Sequence, residues 1–186
     1  MPPPNDPRSD AQLIAALNAG DASAFEAIHY RYRDRVLRLA YRFTGNDADA
    51  QDVLQETFTY FFRKFPGFRL TASMTTFLYP VVKNLSIAAR RKRTRMTSTD
   101  AVEMPEPAAN DSTDPRQQRS ELEAVLAGLP ETHREVLLMR FVDGMSLQEI
   151  AAGLAIPEGT VKSRIHNAVA TLRNDERARR FFLADR

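Results

Sequence analysis

Apolar side chains recur every three or four positions between residues 25 and 43, at Phe25, Ile28, Tyr32, Val36, Leu39 and Phe43. That period predicts an amphipathic helix, with Gly45 and Asn46 as its stop signals. A second helix is predicted from about Ala48 to Phe65, because Leu54, Phe58, Phe61 and Phe65 fall on one side and Pro66-Gly67 breaks the pattern. A third should start near Ser73 and run into a cationic stretch, with Leu78, Val81, Leu85 and Ala88 inward. Towards the C-terminus, Leu122, Val125, Leu126 and Leu129 predict a helix stopped at Pro130, and "ETHREVLLMRF" predicts another before Asp143-Gly144. Ser146 followed by Glu149 is a capping box, so a short helix should begin there and bury Ile150, Ala151 and Leu154. Ala155-Ile156-Pro157 interrupts it, and proline fits best in the first turn of a new helix. Val161, Ile165, Ala168 and Leu172 then form the apolar stripe of a last helix. No segment alternates with a period of two, so the expected fold class is all-α.

The polar faces of these helices carry the candidate chemistry. Opposite the last stripe lie Thr160, Lys162, Ser163, Arg164, His166 and Asn167, which offer donors to a major groove and cations to phosphates. This is a helix-turn-helix pattern, although an ordinary helical hairpin with a solvated basic face has the same spacing. Opposite the second helix's stripe lie Asp49, Asp52, Glu56 and Arg63. Those acids read either as a solvated face that favours the helix dipole or as a docking surface for a basic partner. Around the third helix, Phe68, Phe77 and Tyr79 offer rings for unpaired bases, and Arg90, Arg91, Lys92 and Arg93 offer charge to phosphates. For Phe77 a core position is the competing reading.

Composition adds a division of the chain. With 186 residues, 43% of them hydrophobic and 27% charged, the protein can build one domain or two small ones. The formal charge of +2 decides little, but charge is segregated: "RRKRTR" at 90–95 is followed by "MTSTDAVEMPEPAANDSTDP", which has acids and prolines and no cation. That stretch buries too little apolar surface to offset the entropy of ordering, so it reads as an acidic linker over 96–118. It separates a helical domain at 10–95 from another at 119–175, with a disordered tail at 1–9 and a C-terminal tail at 176–186. In that last tail Phe181, Phe182 and Leu183 either pack on the final helix or contact a partner.

Catalytic constellations are missing. His29, His133 and His166 lack metal-site spacing, there is no phosphate-binding glycine loop and no nucleophile motif, and the chain has no cysteine. The expectation is a protein that is no enzyme, uses no cofactor or metal, does not insert into a membrane and works in the cytoplasm.

The stretches "DADAQDVLQETFTYFFRKFPGF", "SMTTFLYPVVKNLSIAARRKR" and "LAGLPETHREVLLMRFVDGMSLQEIAAGLAIPEGTVKSRIHNA" together resemble extracytoplasmic-function (ECF) sigma factors of the sigma-70 family. The resemblance covers nearly all of the chain outside the tails and linker. It implies sigma-2-like and sigma-4-like domains. In the first, Asp49, Asp52, Gln55 and Glu56 match positions that dock on bacterial RNA polymerase core. Residues 68–73, with Phe68, Arg69 and Ser73, then Thr76, Phe77, Tyr79 and Asn84, match positions that capture flipped bases of the minus-ten element. Arg90, Arg91, Lys92 and Arg93 would hold nearby phosphates. In the second domain Thr160, Lys162, Ser163, Arg164, His166 and Asn167 match the helix that reads the minus-thirty-five element. The resemblance also implies promoter DNA and an anti-sigma factor as partners, a linker that threads the polymerase, and a monomer when free.

Five positions depart from the family's usual pattern. Phe77 stands where tryptophan is usual, which keeps a stacking face and loses the indole donor. Pro80 removes a backbone donor and should kink the third helix unless it lies in the first turn. Ala155 stands where the turn commonly has glycine, at a cost of about 1 kcal/mol if φ is positive there. Asn167 and Val169 replace common arginines, which predicts an altered minus-thirty-five preference. Two rivals stay open on the sequence: a stand-alone helix-turn-helix regulator, and a sigma-like decoy that binds a regulator without touching promoters.

Overall fold

The computed structural model describes residues 6–97 and 124–178, all helical or in short connections, and the chain divides into two compact units. The N-terminal unit holds α1 (Asp10–Asn18), α2 (Ser23–Thr44), α3 (Asp47–Phe62) and α4 (Met74–Thr97). The C-terminal unit holds α5 (Glu131–Phe141), α6 (Leu147–Leu154) and α7 (Glu158–Asn174), and residues 124–127 and 176–178 are also helical. Leu122, most of the acidic stretch and Phe181, Phe182 and Leu183 lie outside the described residues.

Helix α1 is an element the apolar pattern did not announce. Its signal is local: Ser9 Oγ accepts from the Gln12 amide at 3.3 Å while Gln12 Oε1 accepts from the Ser9 amide at 2.7 Å, a reciprocal capping box. Leu13, Ile14 and Leu17 are buried from it. The segment expected to be disordered through residue 9 is held from residue 6 onward. Arg31 donates to the Asp6 and Arg8 carbonyls at 2.9 and 2.8 Å, and Arg8 bridges Asp6 and Asp21. Tyr32 donates its hydroxyl to Asp10, and burial followed by that bond pushes the phenol's pKa up.

The stripe of α2 buries Ile28, Val36 and Leu39, with Phe25, Tyr32 and Phe43 half-buried. Gly45 ends it at φ 65, its amide donating to the Tyr41 carbonyl at 2.8 Å. Asn46 then caps α3 by accepting from the Asp49 amide at 3.0 Å. Helix α3 stops at Phe62, short of the expected Phe65. The Lys64 and Phe65 amides turn to the Phe61 and Phe62 carbonyls in a tighter last turn, and Pro66 has no amide to continue. Phe61, at 0% exposure, contributes about 1.5–3 kcal/mol of burial on its own.

The inward face of α4 differs from the expected one. Met74, Leu78, Tyr79, Val82 and Ser86 are buried, whereas Val81 and Leu85 are half-buried and Ala88 is exposed. The apolar reading chose Leu85 over its neighbour Ser86 on hydrophobicity, but helix rotation follows the large Tyr79 ring, which packs 6.2 Å from Phe43. Pro80 lies beyond the first turn, and α4 continues through it without interruption.

In the C-terminal unit Val125, Leu129, Leu137, Ala168, Leu172 and Ala178 form one core, so the folded unit extends past the expected boundary at residue 175. The capping box at Ser146 is made in full, with Glu149 Oε2 accepting from the Ser146 amide at 2.8 Å. Helix α6 ends in a Schellman arrangement: the Ile156 amide donates to the Ala151 carbonyl at 3.0 Å and the Ala155 amide to that of Ala152 at 3.3 Å. Ala155 itself sits at φ 53, the left-handed region that favours glycine. Pro157 immediately precedes α7, whose first turn needs no amide from it.

Candidate nucleic-acid interface

Three of the four expected docking residues share one surface. Asp52, Gln55 and Glu56 are exposed on α3 and line a shallow depression of ≈ 510 Å³ with Thr59, Tyr60, Arg63 and Leu85. Their spacing of three and four residues follows from the helix period, and Val53, Thr57 and Phe58 occupy the buried side. Asp49 differs: it is half-buried, and its Oδ2 accepts from Arg93 Nη1 at 2.8 Å. Arg93 Nη2 also donates to the Thr44 carbonyl at 3.2 Å. Arg93 is therefore engaged at the α2–α3 corner, while Arg90, Arg91 and Lys92 stand exposed on α4.

The expected base-capturing residues divide in the same way. Arg69 and Asn84 are exposed. Phe68 and Phe77 are half-buried and pack on each other with centroids 5.0 Å apart, each also meeting Phe61 at 5.6 and 6.0 Å. Tyr79 is 1% exposed, so its ring belongs to the core and offers no face to a base. Thr76 is 6% exposed, and its hydroxyl is 2.9 Å from that of Ser73. Ser73 Oγ also accepts from the Thr76 amide at 3.2 Å, so both hydroxyls build the start of α4.

Sequence reasoning missed Tyr60. Its ring is 41% exposed, lies 6.4 Å from Phe77 at an interplanar angle of 20°, and has Lys64 Nζ 4.5 Å from its centroid. The Tyr60/Lys64 spacing of four, on the exposed side of the predicted α3 region, was the available signal.

On α7 the apolar residues Val161, Ala168 and Leu172 are buried. Lys162, Ser163, His166 and Asn167 are exposed, while Thr160 and Arg164 are half-buried at the margins. Lys162 Nζ pairs with Glu158 Oε1 at 2.9 Å, and Ser163 Oγ donates to the Thr160 carbonyl at 3.0 Å. Val169 packs against the core, so the arginine usual there in the resembled family is replaced by a residue facing inward. Among the described residues no cluster of histidine and carboxylate side chains is arranged to hold a metal, and no helix is long and apolar enough to cross a membrane.

Comparison with known proteins assigns both helical units to one family. Residues 29–96 match the family described as sigma-70 region 2, and residues 125–174 match sigma-70, region 4. The ECF RNA polymerase sigma factor SigW of Bacillus subtilis is 31% identical over 177 residues, covering 88% of this chain and 95% of the relative. The RNA polymerase sigma-H factor of Pseudomonas aeruginosa is 33% identical over 172 residues, covering 86% and 89%. Among solved structures, the sigma factor RpoE of Bartonella quintana, in complex with the anti-sigma factor NepR, superposes with a TM-score of 0.61 at 22% identity, covering 89% of this chain and 100% of that one. The match runs through both regions, as expected for a sigma factor and not for a stand-alone helix-turn-helix domain. Two helical units carrying these two regions make this chain a member of the ECF sigma factors of the sigma-70 family, non-catalytic proteins that direct promoter recognition by RNA polymerase.

Proposed function

We propose that the two units divide the promoter between them while α3 holds the polymerase. Asp52, Gln55 and Glu56 dock on RNA polymerase core, with Asp49 at the edge of that surface. The loop between α3 and α4, with Phe68, Arg69, Phe77 and Asn84, receives flipped minus-ten bases. Ser73, Thr76 and Tyr79 shape the start of α4 beneath it. Arg90, Arg91 and Lys92 hold adjacent phosphates, and Arg93 joins them at the Asp49 corner. Helix α7 enters the major groove of the minus-thirty-five element with Thr160, Lys162, Ser163, Arg164, His166 and Asn167.

The observation that carries this reading is the grouping of Asp52, Gln55 and Glu56, with Arg63, on one depression between α3 and Leu85 of α4, while Arg90, Arg91 and Lys92 stand exposed at the end of α4. A surface with two exposed carboxylates and a separate run of cations on one small unit suit a protein that must bind both a basic protein face and a polyanion. When free the protein is a cytoplasmic monomer, and an anti-sigma factor is a further partner, the latter supported by the solved neighbour held in such a complex.

The test is run-off transcription with bacterial core polymerase over fragmented DNA of the source organism. Discrete new transcripts should appear with the protein and vanish with Asp52→Ala/Glu56→Ala. Transcripts that persist with the double variant would move docking off α3, and an absence of transcripts despite tight duplex binding would refute the initiation mechanism.

A further inference from the structure

The connection between α3 and α4 poses an accounting problem. Among the described residues, the backbone groups of residues 66–72 make no backbone–backbone hydrogen bond. The Phe65 amide bonds to the Phe62 carbonyl, and the next such bond runs from the Phe77 amide to the Ser73 carbonyl. A loop without a ladder of its own needs another source of order, since fixing each residue costs backbone entropy.

That order comes from Asn18, the last residue of α1. Its Oδ1 accepts from the Gly67 amide at 2.6 Å, and its Nδ2 donates to the Phe68 carbonyl at 2.8 Å. The partners fix the orientation of the amide, because a backbone N–H can only donate and a carbonyl can only accept. One planar side chain thus substitutes for a neighbouring strand across two successive backbone groups. Gly67 lies at φ 99, and its amide reaches Asn18 from that glycine-favouring conformation. Beneath the loop, Phe65 and Phe68 pack on Phe61 with centroids 5.2 and 5.6 Å apart. The apolar contacts seat the loop, and Asn18 selects its register. Asn18 is itself placed by Leu13, Ile14 and Leu17 of α1, which are buried.

We propose that Asn18 is the positioning residue of the base-capturing loop: its side-chain amide, bonded to Gly67 and Phe68, holds the loop in the one conformation that receives single-stranded minus-ten bases. The inference rests on the minus-ten reading of that loop made above. Asn18 touches no DNA; it acts through the backbone of Gly67 and Phe68. The chemistry demands both halves of the amide. Aspartate keeps the acceptor for Gly67 but sets a carboxylate against the Phe68 carbonyl, and alanine removes both bonds.

The experiment compares the full chain, Asn18→Ala and Asn18→Asp, each assembled with core polymerase. The probe is a single-stranded non-template oligonucleotide spanning the melted region of a promoter mapped by run-off transcription. Affinity for the oligonucleotide should fall about tenfold with Asn18→Ala, which removes both bonds, and should fall also with Asn18→Asp, which keeps the Gly67 bond but sets a carboxylate against the Phe68 carbonyl. Core affinity should stay within about twofold, because α3 is not involved. In the free proteins, hydrogen exchange at the Gly67 amide should speed up with Asn18→Ala and stay slow with Asn18→Asp. Unchanged oligonucleotide binding by Asn18→Ala, or unchanged Gly67 exchange, overturns the inference. So does a parallel loss of core affinity, which would make Asn18 a general stabiliser of the unit. A wild-type holoenzyme that does not prefer this strand over a scrambled one refutes the minus-ten reading itself, and the inference falls with it.

Discussion

Arg93 on α4 donates to Asp49 on α3 at 2.8 Å, so a residue matched to phosphate binding and one matched to polymerase docking are bonded to each other. Their side chains are 41% and 21% exposed, and the pair ties the cationic end of α4 to the corner where α2 gives way to α3. A partly exposed pair of this kind is worth about 0.5–1 kcal/mol. Asp49 therefore has less carboxylate to offer a partner than Asp52 and Glu56. Asp49→Ala should lower core affinity by about twofold or less, against more than about tenfold for Asp52→Ala/Glu56→Ala. A double-mutant cycle with Arg93→Ala, read by denaturant unfolding of the N-terminal unit, should give a coupling of about 0.5–1 kcal/mol. Equal losses of core affinity from Asp49→Ala and the Asp52/Glu56 pair would restore Asp49 as a docking residue.

Ala155 occupies the left-handed cap of α6 at φ 53. An L-residue there is strained by crowding between Cβ and the backbone, which glycine relieves. Ala155→Gly should stabilise the C-terminal unit by about 0.5–1 kcal/mol, since the gain from removing Cβ strain is partly offset by the added freedom of the unfolded chain. Urea unfolding followed by hydrogen exchange at amides of α6 and α7 measures it. A variant less stable than the parent would mean that the Ala155 methyl makes a packing contribution larger than its strain.

His29 lies half-buried between the rings of Phe25 and Phe58, with centroids 6.3 and 4.6 Å away. Burial, and then the charge of Arg33, lowers its pKa below the ordinary 6.5. The unfolded chain then binds a proton more readily than the folded one, so stability from this group is full above about pH 6.5 and declines as pH falls through the folded pKa. Thermal unfolding of the N-terminal unit between about pH 7.5 and 5 should lose less stability in His29→Phe than in the parent. Parallel curves for the two proteins would show that His29 makes no contribution to the acid sensitivity.

Much of this was legible in the sequence, and the exceptions have physical causes. The period of apolar residues located α2, α3 and α7 because long stripes average over local detail, and the two caps of α6 announced themselves as Ser146/Glu149 and the proline beyond. Helix α1 escaped because its stripe is short and its clearest signal, Ser9 with Gln12, is a capping box without a charged partner. The rotation of α4 escaped because hydrophobicity ranks Leu85 above Ser86, while the packing of Tyr79 against Phe43 is a contact across 36 positions of chain. For the site, exposure followed from helix faces, so Asp52, Glu56 and Lys162 could be read. Pairing did not: the Asp49–Arg93 and Asn18–Gly67 bonds span 44 and 49 positions and depend on tertiary placement alone.

Asn167 is exposed on α7 beside His166, one helical turn beyond Ser163 and clear of the buried Val161/Ala168/Leu172 face. An asparagine amide bonds the N6 and N7 edge of adenine in two places, whereas an arginine bonds the O6 and N7 edge of guanine. Asn167→Arg should therefore move the preferred minus-thirty-five base at one position from adenine to guanine, with a discrimination of about 1–3 kcal/mol. Lys162 behaves differently, because a cation on phosphate carries no sequence information. Lys162→Ala should weaken all duplexes alike and flatten the salt dependence by at most about one unit of slope, the pairing with Glu158 having already reduced its share. Selection from a randomised duplex pool with holoenzyme, repeated at several salt concentrations, reads both effects at once. An unchanged consensus for Asn167→Arg would place Asn167 over the backbone, and a changed consensus for Lys162→Ala would place Lys162 over a base.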